Sequence, residues 1–276
     1  MIKPRKQFAQ HWLKSEKALN QIVQAAEITK SDRILEIGPG TGILTRRLLP
    51  LAACVVAVEI DRDLCEILAK QLSKKENFLL LQGDFLALNL ASLLAPFPAF
   101  QKPNKVVANI PYNITGPILE KLLGTIASPK DTEPFDSIVL LVQKEVAQRL
   151  YARPGSRAFG ALSVKVQYLA DCEPICIVPA GSFQPPPKVD SAVVRLRPRQ
   201  ISTSAHNPQQ LETLVKLGFG AKRKMLRNNL QAIVERDRLT QLLRQLEINP
   251  EARAEELGVA QWVALSNTLE ASSQIG

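Results

Sequence analysis

Short, nearly continuous apolar runs alternate with amphipathic segments along the first two-thirds of the chain. The runs predict strands at residues 33–37, 54–58, 78–81, 105–108 and 137–142, and two later strands at 172–178 and 191–196. Between runs, apolar residues recur at helical spacing, as Leu64, Leu68 and Leu72 do after the second strand. Strands that are apolar throughout and separated by helices favour a parallel sheet covered on both faces. The pattern therefore predicts an α/β domain with seven strands.

The pattern changes after the last predicted strand. Residues 197–208 are polar and lack a clear period, which indicates a linker, and the rest of the chain carries leucine stripes at helical spacing. We therefore expect two domains, residues 1–198 and residues 199–276, of which the second is small and all-helical. Within it, Asn249-Pro250-Glu251 predicts a helix start, Gly258 the end of that helix, and Trp262 a position in the last helix.

Composition limits the kind of partner and site. The 276 residues carry 35 Lys and Arg against 26 Asp and Glu, a net charge of +9, which favours a polyanionic partner, although a merely basic protein has the same composition. No apolar run reaches the roughly 20 residues of a membrane span, and no signal core follows the basic residues 1–7, so we expect a cytoplasmic protein without membrane contact. The four cysteines lack zinc-type spacing and the two histidines lie far apart, which predicts reduced thiols and no metal.

The most informative motif is Asn109-Ile110-Pro111-Tyr112, at the end of the fourth predicted strand. The Asn109 side-chain carbonyl can accept a hydrogen bond from an amine. Pro111 biases Ile110 toward extended backbone, which can point the Ile110 carbonyl the same way. Tyr112 offers a flat ring for a planar base. The motif predicts a pocket for an adenine-like amine. The same residues could instead form only a strand end followed by a proline turn.

A glycine loop follows the first strand. It reads Gly38-Pro39-Gly40-Thr41-Gly42 and is preceded by Glu36. Glycines allow the backbone to approach a ligand closely. The third glycine comes one residue earlier than in the dinucleotide motif G-x-G-x-x-G, and a pyrophosphate would be repelled by the preceding acid. A ligand with an ammonium or sulfonium centre would tolerate that acid.

Acidic side chains mark the ends of the next two strands. Glu59 ends the second, where a carboxylate can accept both hydroxyls of a ribose. Asp84 ends the third and can accept from the amine of a ligand's adenine, while Ile60 or Phe85 could pack on the base. Open α/β sheets bind ligands at the carboxyl ends of their strands, so the glycine loop, the two acids and Asn109 predict one nucleoside site.

Longer segments resemble a known family. With the motifs above, residues 8–13, 183–196 and 222–230 make the chain similar to the ribosomal RNA adenine dimethyltransferases, most of all their bacterial small-subunit branch, from about residue 5 to residue 270. The resemblance implies a Rossmann-like, seven-strand class I methyltransferase sheet, a helical C-terminal rRNA-binding domain and S-adenosylmethionine as cofactor. The implied reaction is dimethylation of the exocyclic amines of two adjacent adenosines in a 3′-terminal hairpin of small-subunit rRNA. The implied setting is a pre-ribosomal particle in ribosome biogenesis, and we expect a monomer.

The resemblance also implies residue roles. The methyl donor would be contacted by residues matching His11, Leu13, Gly38, Glu59, Asp84 and Asn109. Tyr112 and Phe183 would sandwich the target adenine. The family commonly has Asn-Phe-Leu where this chain has His11-Trp12-Leu13, which leaves open whether position 11 acts through its backbone or its side chain. Leu13 and Phe183 could instead be core residues.

Two basic clusters are candidates for RNA contact. The residues expected to bind RNA are Arg149 and Arg153 in one cluster and Lys222, Arg223, Lys224 and Arg227 in the other. Such contacts would be directed at phosphates and would weaken with salt. Each residue could also belong to a solvated helix face, and Arg227, with Asn228 and Asn229, could instead be structural and tie the helical domain to the sheet.

Three other functions fit the sequence less well. A large-subunit rRNA adenine methyltransferase of the antibiotic-resistance type is close, but the 183–196 and 222–230 segments favour the small-subunit enzyme. A nicotinamide dehydrogenase is disfavoured by the glycine spacing and by Glu36. A non-catalytic nucleic-acid-binding assembly factor is disfavoured by the intact 109–112 motif, although a role in assembly could coexist with catalysis.

Overall fold

The computed structural model describes residues 10–130, 135–199 and 204–273. Its strands are β1 (Trp12–Leu13), β2 (Arg33–Ile37), β3 (Cys54–Glu59), β4 (Phe78–Gln82), β5 (Lys105–Asn109), β6 (Ser137–Gln143), β7 (Ala170–Val178), β8 (Phe183–Gln184) and β9 (Ser191–Pro198). All seven predicted strands are present. The basic residues 1–7, Phe8 and Ala9 of the N-terminal motif and residues 200–203 of the predicted linker lie outside the described residues.

Among the described residues, seven strands form one sheet in the order β4-β3-β2-β5-β6-β9-β7. The pairs β2–β3, β3–β4, β2–β5 and β5–β6 are parallel, as predicted. The prediction of a wholly parallel sheet is wrong for β9, which runs antiparallel to β6 with Val194 opposite Leu140. The connection 179–190 contains a 3₁₀ turn and β8 but no α-helix that could carry the chain back across the sheet, so β9 enters in the opposite direction.

The helices are bounded by local signals. They are α1 (Glu16–Ala26), α2 (Thr45–Leu48), α3 (Arg62–Leu72), α4 (Leu90–Leu94), α5 (Thr115–Leu123), α6 (Lys144–Leu150), α7 (Ala161–Leu169), α8 (Pro208–Gly218), α9 (Leu226–Asn229), α10 (Arg236–Gln245) and α11 (Val259–Ser273). Ser15 caps α1 by accepting a hydrogen bond from the Ala18 N–H, and Glu27 ends it in the left-handed conformation. The buried face of α1, including Leu19 and Ile22, joins the core cluster that contains strand residues of β2, β5 and β6.

The chain divides into two compact units. The first comprises residues 1–122, 131–147 and 172–198, and the second comprises residues 123–130, 148–171 and 199–276. The expected division at residue 198 is one of the places where the chain passes between units, but the second unit also takes in two earlier segments. Glu212 of α8 holds both of them, since its carboxylate accepts from Lys165 Nζ at 3.1 Å and from the Ala127 N–H at 3.0 Å.

The helix predicted between residues 249 and 258 is wrong. Asn249 Oδ1 accepts a hydrogen bond from the Glu251 N–H in a local turn, and a 3₁₀ helix follows at Ala254–Glu256. Arg253 forms an isolated β-bridge with Met225, so this backbone pairs with a distant segment instead of coiling. The last helix, which contains Trp262, is confirmed as α11.

Candidate active site

An open cavity of about 750 Å³ lies at the carboxyl ends of β2 to β5 in the first unit. It is lined by residues of five segments: 10–12, 37–40, 58–64, 83–85 and 109–114. The acids, the glycine loop and the 109–112 motif therefore meet, because each follows a strand of the same parallel set.

Glu59 shapes the floor of this cavity from the end of β3. Its side chain is 4% exposed, and its two carboxylate oxygens accept from the Gly40 N–H and the Asp61 N–H, both at 3.0 Å. Burial raises the pKa of Glu59, and these N–H groups partly oppose that rise. The carboxylate thus fixes the glycine loop, and its remaining lone pairs can accept from ligand hydroxyls.

Asn109 has a defined orientation at the end of β5. Its side-chain Nδ2 donates to the backbone carbonyl of His11 at 3.2 Å. An amide has one donor end and one acceptor end, so this bond assigns Oδ1 to the other direction. Ile110, Pro111 and Tyr112 line the same cavity, and Pro111 has an extended backbone with ψ 133°.

The ring of Tyr112 is held at both its hydroxyl and its face. The hydroxyl hydrogen-bonds to Ser191 Oγ at the start of β9, and burial raises the pKa of Tyr112. The His11 ring stacks on Tyr112 with a centroid distance of 5.9 Å and an interplanar angle of 18°. The His11 Nδ1 is 2.8 Å from the Pro185 carbonyl oxygen. Both the side chain and the backbone of His11 therefore make contacts at the wall of the cavity.

Two expected site residues do not reach the cavity. Leu13 in β1 and Phe183 in β8 pair across a two-stranded antiparallel ribbon. Their side chains are 4% and 1% exposed and belong to the hydrophobic core cluster. Two apolar side chains in this position gain more from packing together than from facing an open cleft. Leu13 lines only a small adjoining cavity beneath the glycine loop.

The wall formed by residues 83–85 combines a polar and an apolar face. Asp84 is exposed, and its Oδ1 accepts from the Leu86 N–H. Phe85 is buried, with the Lys121 ammonium 5.1 Å from its ring centroid. Burial lowers the pKa of Lys121, which the charge of Asp84 partly offsets. Ile60 lines the same cavity, and 45% of its surface is exposed. Its apolar side chain is therefore available to contact an apolar face of a ligand.

Sequence reasoning missed two side chains that close the cavity. Gln10 Nε2 donates to Asp61 Oδ2 at 2.9 Å, which ties the N-terminal segment to the start of α3. The Trp12 ring covers Gly40, whose left-handed φ of +59° and lack of a side chain permit that approach. No local pattern in the sequence indicates these two contacts, because both depend on residues 10–12 crossing the carboxyl ends of the strands.

Glu36 lies beneath the loop in the adjoining small cavity. It is 1% exposed, and its Oε2 has no hydrogen-bond partner among the described residues. Burial raises the pKa of Glu36 to about 8, and the charge of Glu59 adds to this. A hydrogen bond from the Thr45 N–H partly opposes that rise. A buried carboxyl oxygen without a partner is costly, and a positively charged ligand beside it would reduce that cost.

The residues expected to bind RNA all lie in the second unit. Arg149, Arg153, Lys222, Arg223 and Lys224 are exposed, and the two clusters join where Lys222 Nζ donates to the Arg157 carbonyl at 2.8 Å. Arg227 differs, since its side chain is 16% exposed and approaches Glu251 at 3.8 Å. Its burial fits the structural alternative.

Neither a metal centre nor a membrane-spanning helix is found within the described ranges. No group of three or more His, Cys, Asp or Glu side chains there could hold a metal ion. No described helix is long and apolar enough to cross a bilayer.

The sheet order, the reversed β9 and the open cavity at the strand ends define a Rossmann-like class I methyltransferase. More narrowly, the chain belongs to the ribosomal RNA adenine dimethylase family, whose model matches residues 1–271. A Nostoc protein named ribosomal RNA small subunit methyltransferase A is 76% identical, over 98% of this chain and 99% of its own length. The predicted resemblance and the enzyme class are confirmed.

Two solved structures are similar over nearly the whole chain. A dimethyladenosine transferase from Plasmodium falciparum has a TM-score of 0.79 and 30% identity, covering 96% of this chain and 98% of that one. The 23S rRNA methyltransferase ErmE has a TM-score of 0.72 and 28% identity, covering 94% and 99%. The methyltransferase fold thus extends through both units.

Proposed function

We propose that this chain transfers methyl groups from S-adenosylmethionine to the exocyclic amines of two adjacent adenosines in a 3′-terminal hairpin of small-subunit rRNA. The family supports adenine as the target base. The name of the Nostoc relative supports the small subunit as the source of the RNA. A pre-ribosomal particle as substrate, a monomeric state and a cytoplasmic location stay predictions.

The residues around the cavity fit this cofactor. S-adenosylmethionine supplies a methyl group on a positively charged sulfonium. The buried carboxyl of Glu36, whose Oε2 has no hydrogen-bond partner among the described residues, lies beneath the loop that would contact it. Glu59 would accept from the ribose hydroxyls. Asp84 would accept from the adenine amine, with Ile60 and Phe85 against the base.

The observation that carries the proposal is the orientation of Asn109. Its N–H group is engaged by the His11 carbonyl, so Oδ1 can accept from a substrate amine. The lone pair of an adenine amine is delocalised into the ring. Hydrogen bonds donated by the amine to Asn109 Oδ1 and to the Ile110 carbonyl would draw the nitrogen toward tetrahedral geometry and localise that pair. Most of the rate would then come from positioning and fixed dipoles, without a strong general base.

The target base must leave its stack to reach such a site. The Tyr112 ring would offset part of that cost, at about 1–3 kcal/mol per stacked base. With its ring in the core, Phe183 would support the ribbon above the site.

The substrate is tested with labelled donor and immature small subunits from a strain that lacks the modification. We expect label on two adjacent adenosines of one hairpin, located by mapping the modified nucleotides. Large subunits form a parallel arm, because of the similarity to ErmE. Label confined to large-subunit RNA would overturn the proposed subunit, and no label in either would overturn the activity.

Asn109→Ala tests the mechanism. Removing the acceptor should lower kcat by about 10²–10³-fold, while donor affinity measured by calorimetry survives in part. Asn113→Ala is the matched control, since Asn113 is exposed and lies outside the cavity lining. Full activity in Asn109→Ala would exclude Asn109 from the reaction.

A further inference from the structure

Asp84 is presented by a short turn, residues 84–88, that is not continued as a helix. The backbone carbonyl of Asp84 accepts from the Ala87 and Leu88 N–H groups, both at 3.0 Å. Its side-chain Oδ1 accepts from the Leu86 N–H at 2.9 Å, which fixes the rotation of the carboxylate and thereby the position of Oδ2. A single turn has no following turn whose N–H groups could satisfy its last carbonyls, so these carbonyls need donors from elsewhere.

The donor for two of these carbonyls is Lys121 on α5. Its Nζ donates to the Leu86 carbonyl at 3.0 Å and to the Leu88 carbonyl at 2.7 Å. The same ammonium lies 5.1 Å from the centroid of the Phe85 ring, in a cation–π contact. A lysine at the end of a helical turn stabilises the turn, because it binds the last carbonyls and its charge favours the negative end of the peptide dipoles. One side chain therefore contacts the turn at three residues.

Lys121 acts from outside the cavity. It is half-buried and is not among the described residues that line the cavity, whereas Asp84 and Phe85 are. Any effect of Lys121 on a ligand in the cavity must therefore pass through the turn. Its helix begins at Thr115, three residues after Tyr112, so α5 also connects the 109–112 motif to the turn.

We propose that Lys121 is a positioning residue for the methyl donor, which locks the turn so that Asp84 Oδ2 is held where it accepts from the exocyclic amine of the donor's adenine. This inference rests on the proposed cofactor. Without the ammonium, water would have to satisfy the two carbonyls, and the turn would gain other conformations. Asp84 would then meet the amine only part of the time, and recognition of the amine would weaken.

Two ligands that differ at this amine test the proposal. S-adenosylhomocysteine keeps the amine, and S-inosylhomocysteine has in its place a carbonyl oxygen, which cannot donate to Asp84. We expect the wild type to bind the first ligand about 10- to 150-fold more tightly in calorimetry, the equivalent of one hydrogen bond to a charged group. Lys121→Met keeps an apolar stem and removes the donor, and it should narrow this ratio of Kd values by about three- to tenfold. A merely structural loss would weaken both ligands alike and leave the ratio unchanged.

Further variants show whether the effect passes through Asp84. Asp84→Ala should remove most of the preference, and adding Lys121→Met to it should not narrow the ratio further. Lys121→Arg keeps a cation with several N–H donors and should keep most of the ratio. Lys70→Met is the matched control, because Lys70 is exposed on α3, and it should follow the wild type.

Circular dichroism melting curves establish that each variant is folded, and Lys121→Gln, which loses the charge and the reach, takes the place of Lys121→Met if the latter does not fold. An unchanged ratio in the folded variant would overturn the positioning role, whether or not both Kd values weaken. A wild type that binds both ligands equally would overturn the Asp84 contact and this inference with it. A wild type that binds neither would overturn the proposed cofactor itself.

Discussion

Glu36→Gln tests whether the carboxyl beneath the glycine loop is protonated in the folded protein. Burial raises the pKa of Glu36 from its ordinary 4.5 to about 8. Between these values the folded chain holds one proton more than the unfolded chain. The free energy of unfolding of the wild type therefore falls as pH rises, by about 1.4 kcal/mol per pH unit for this group. From pH 5 to pH 8 the loss amounts to about 4 kcal/mol.

A glutamine stays neutral, so the variant escapes this loss. We expect its stability relative to the wild type to increase steadily from pH 5 to pH 8, measured by urea unfolding at each pH. Glu76→Gln is the matched control, because Glu76 is exposed, and it should follow the wild type. A difference between Glu36→Gln and wild type that does not change with pH would refute the reasoning, since it would mean that the buried carboxyl is already ionised.

The donor adds a second arm to this experiment. A positively charged ligand beside Glu36 favours the ionised carboxyl and lowers its pKa. Saturating S-adenosylmethionine should therefore flatten the pH dependence in the wild type and leave that of Glu36→Gln unchanged. An undiminished slope in the presence of bound donor would place the positive charge away from this side chain.

Two further predictions concern packing and RNA binding. Gly42→Ala should destabilise the protein by about 2–4 kcal/mol in urea unfolding, because the residue has φ +75° and a new Cβ would lie 2.6 Å from a buried leucine methyl of α3. The control Gly116→Ala should be nearly neutral, since no atom lies within 4 Å of its new Cβ. Equal effects of the two substitutions would contradict the packing argument. Lys224→Gln should reduce the slope of log Kd for RNA against the logarithm of the salt concentration by about 1, as measured by filter binding. The control Arg244→Gln on α10 should leave the slope unchanged. An unchanged slope in Lys224→Gln would exclude Lys224 from the phosphate contacts.

The strand ends of the site were predictable because they depend on short-range patterns. Apolar runs mark buried strands, and in a parallel set every carboxyl end lies at the same edge. Glu59, Asp84 and Asn109 could therefore be assigned to one cavity without coordinates. The direction of β9 was not predictable in this way, since its apolar run reads the same in either direction.

The second unit shows a different limit. Its leucine stripes predicted helices, but the 249–256 segment pairs with Met225 through a β-bridge that no local signal indicates. Glu212 likewise binds segments 47 and 85 residues earlier in the chain. Such contacts follow from packing, which overrides local helix preference.

By itself, the sequence determined the seven strands and the residues at their carboxyl ends, because each depends on neighbours within a few residues. The orientation of the Asn109 amide depends on the His11 carbonyl, 98 residues away, and was decided by the tertiary structure. Only the tertiary structure decided that Phe183 is buried and that His11 faces Tyr112, 101 residues away. The residue type alone does not show whether a phenylalanine or a histidine lies in the core or in a cleft. The burial of Phe183 arises from the ribbon of β1 and β8, whose register places Phe183 opposite Leu13.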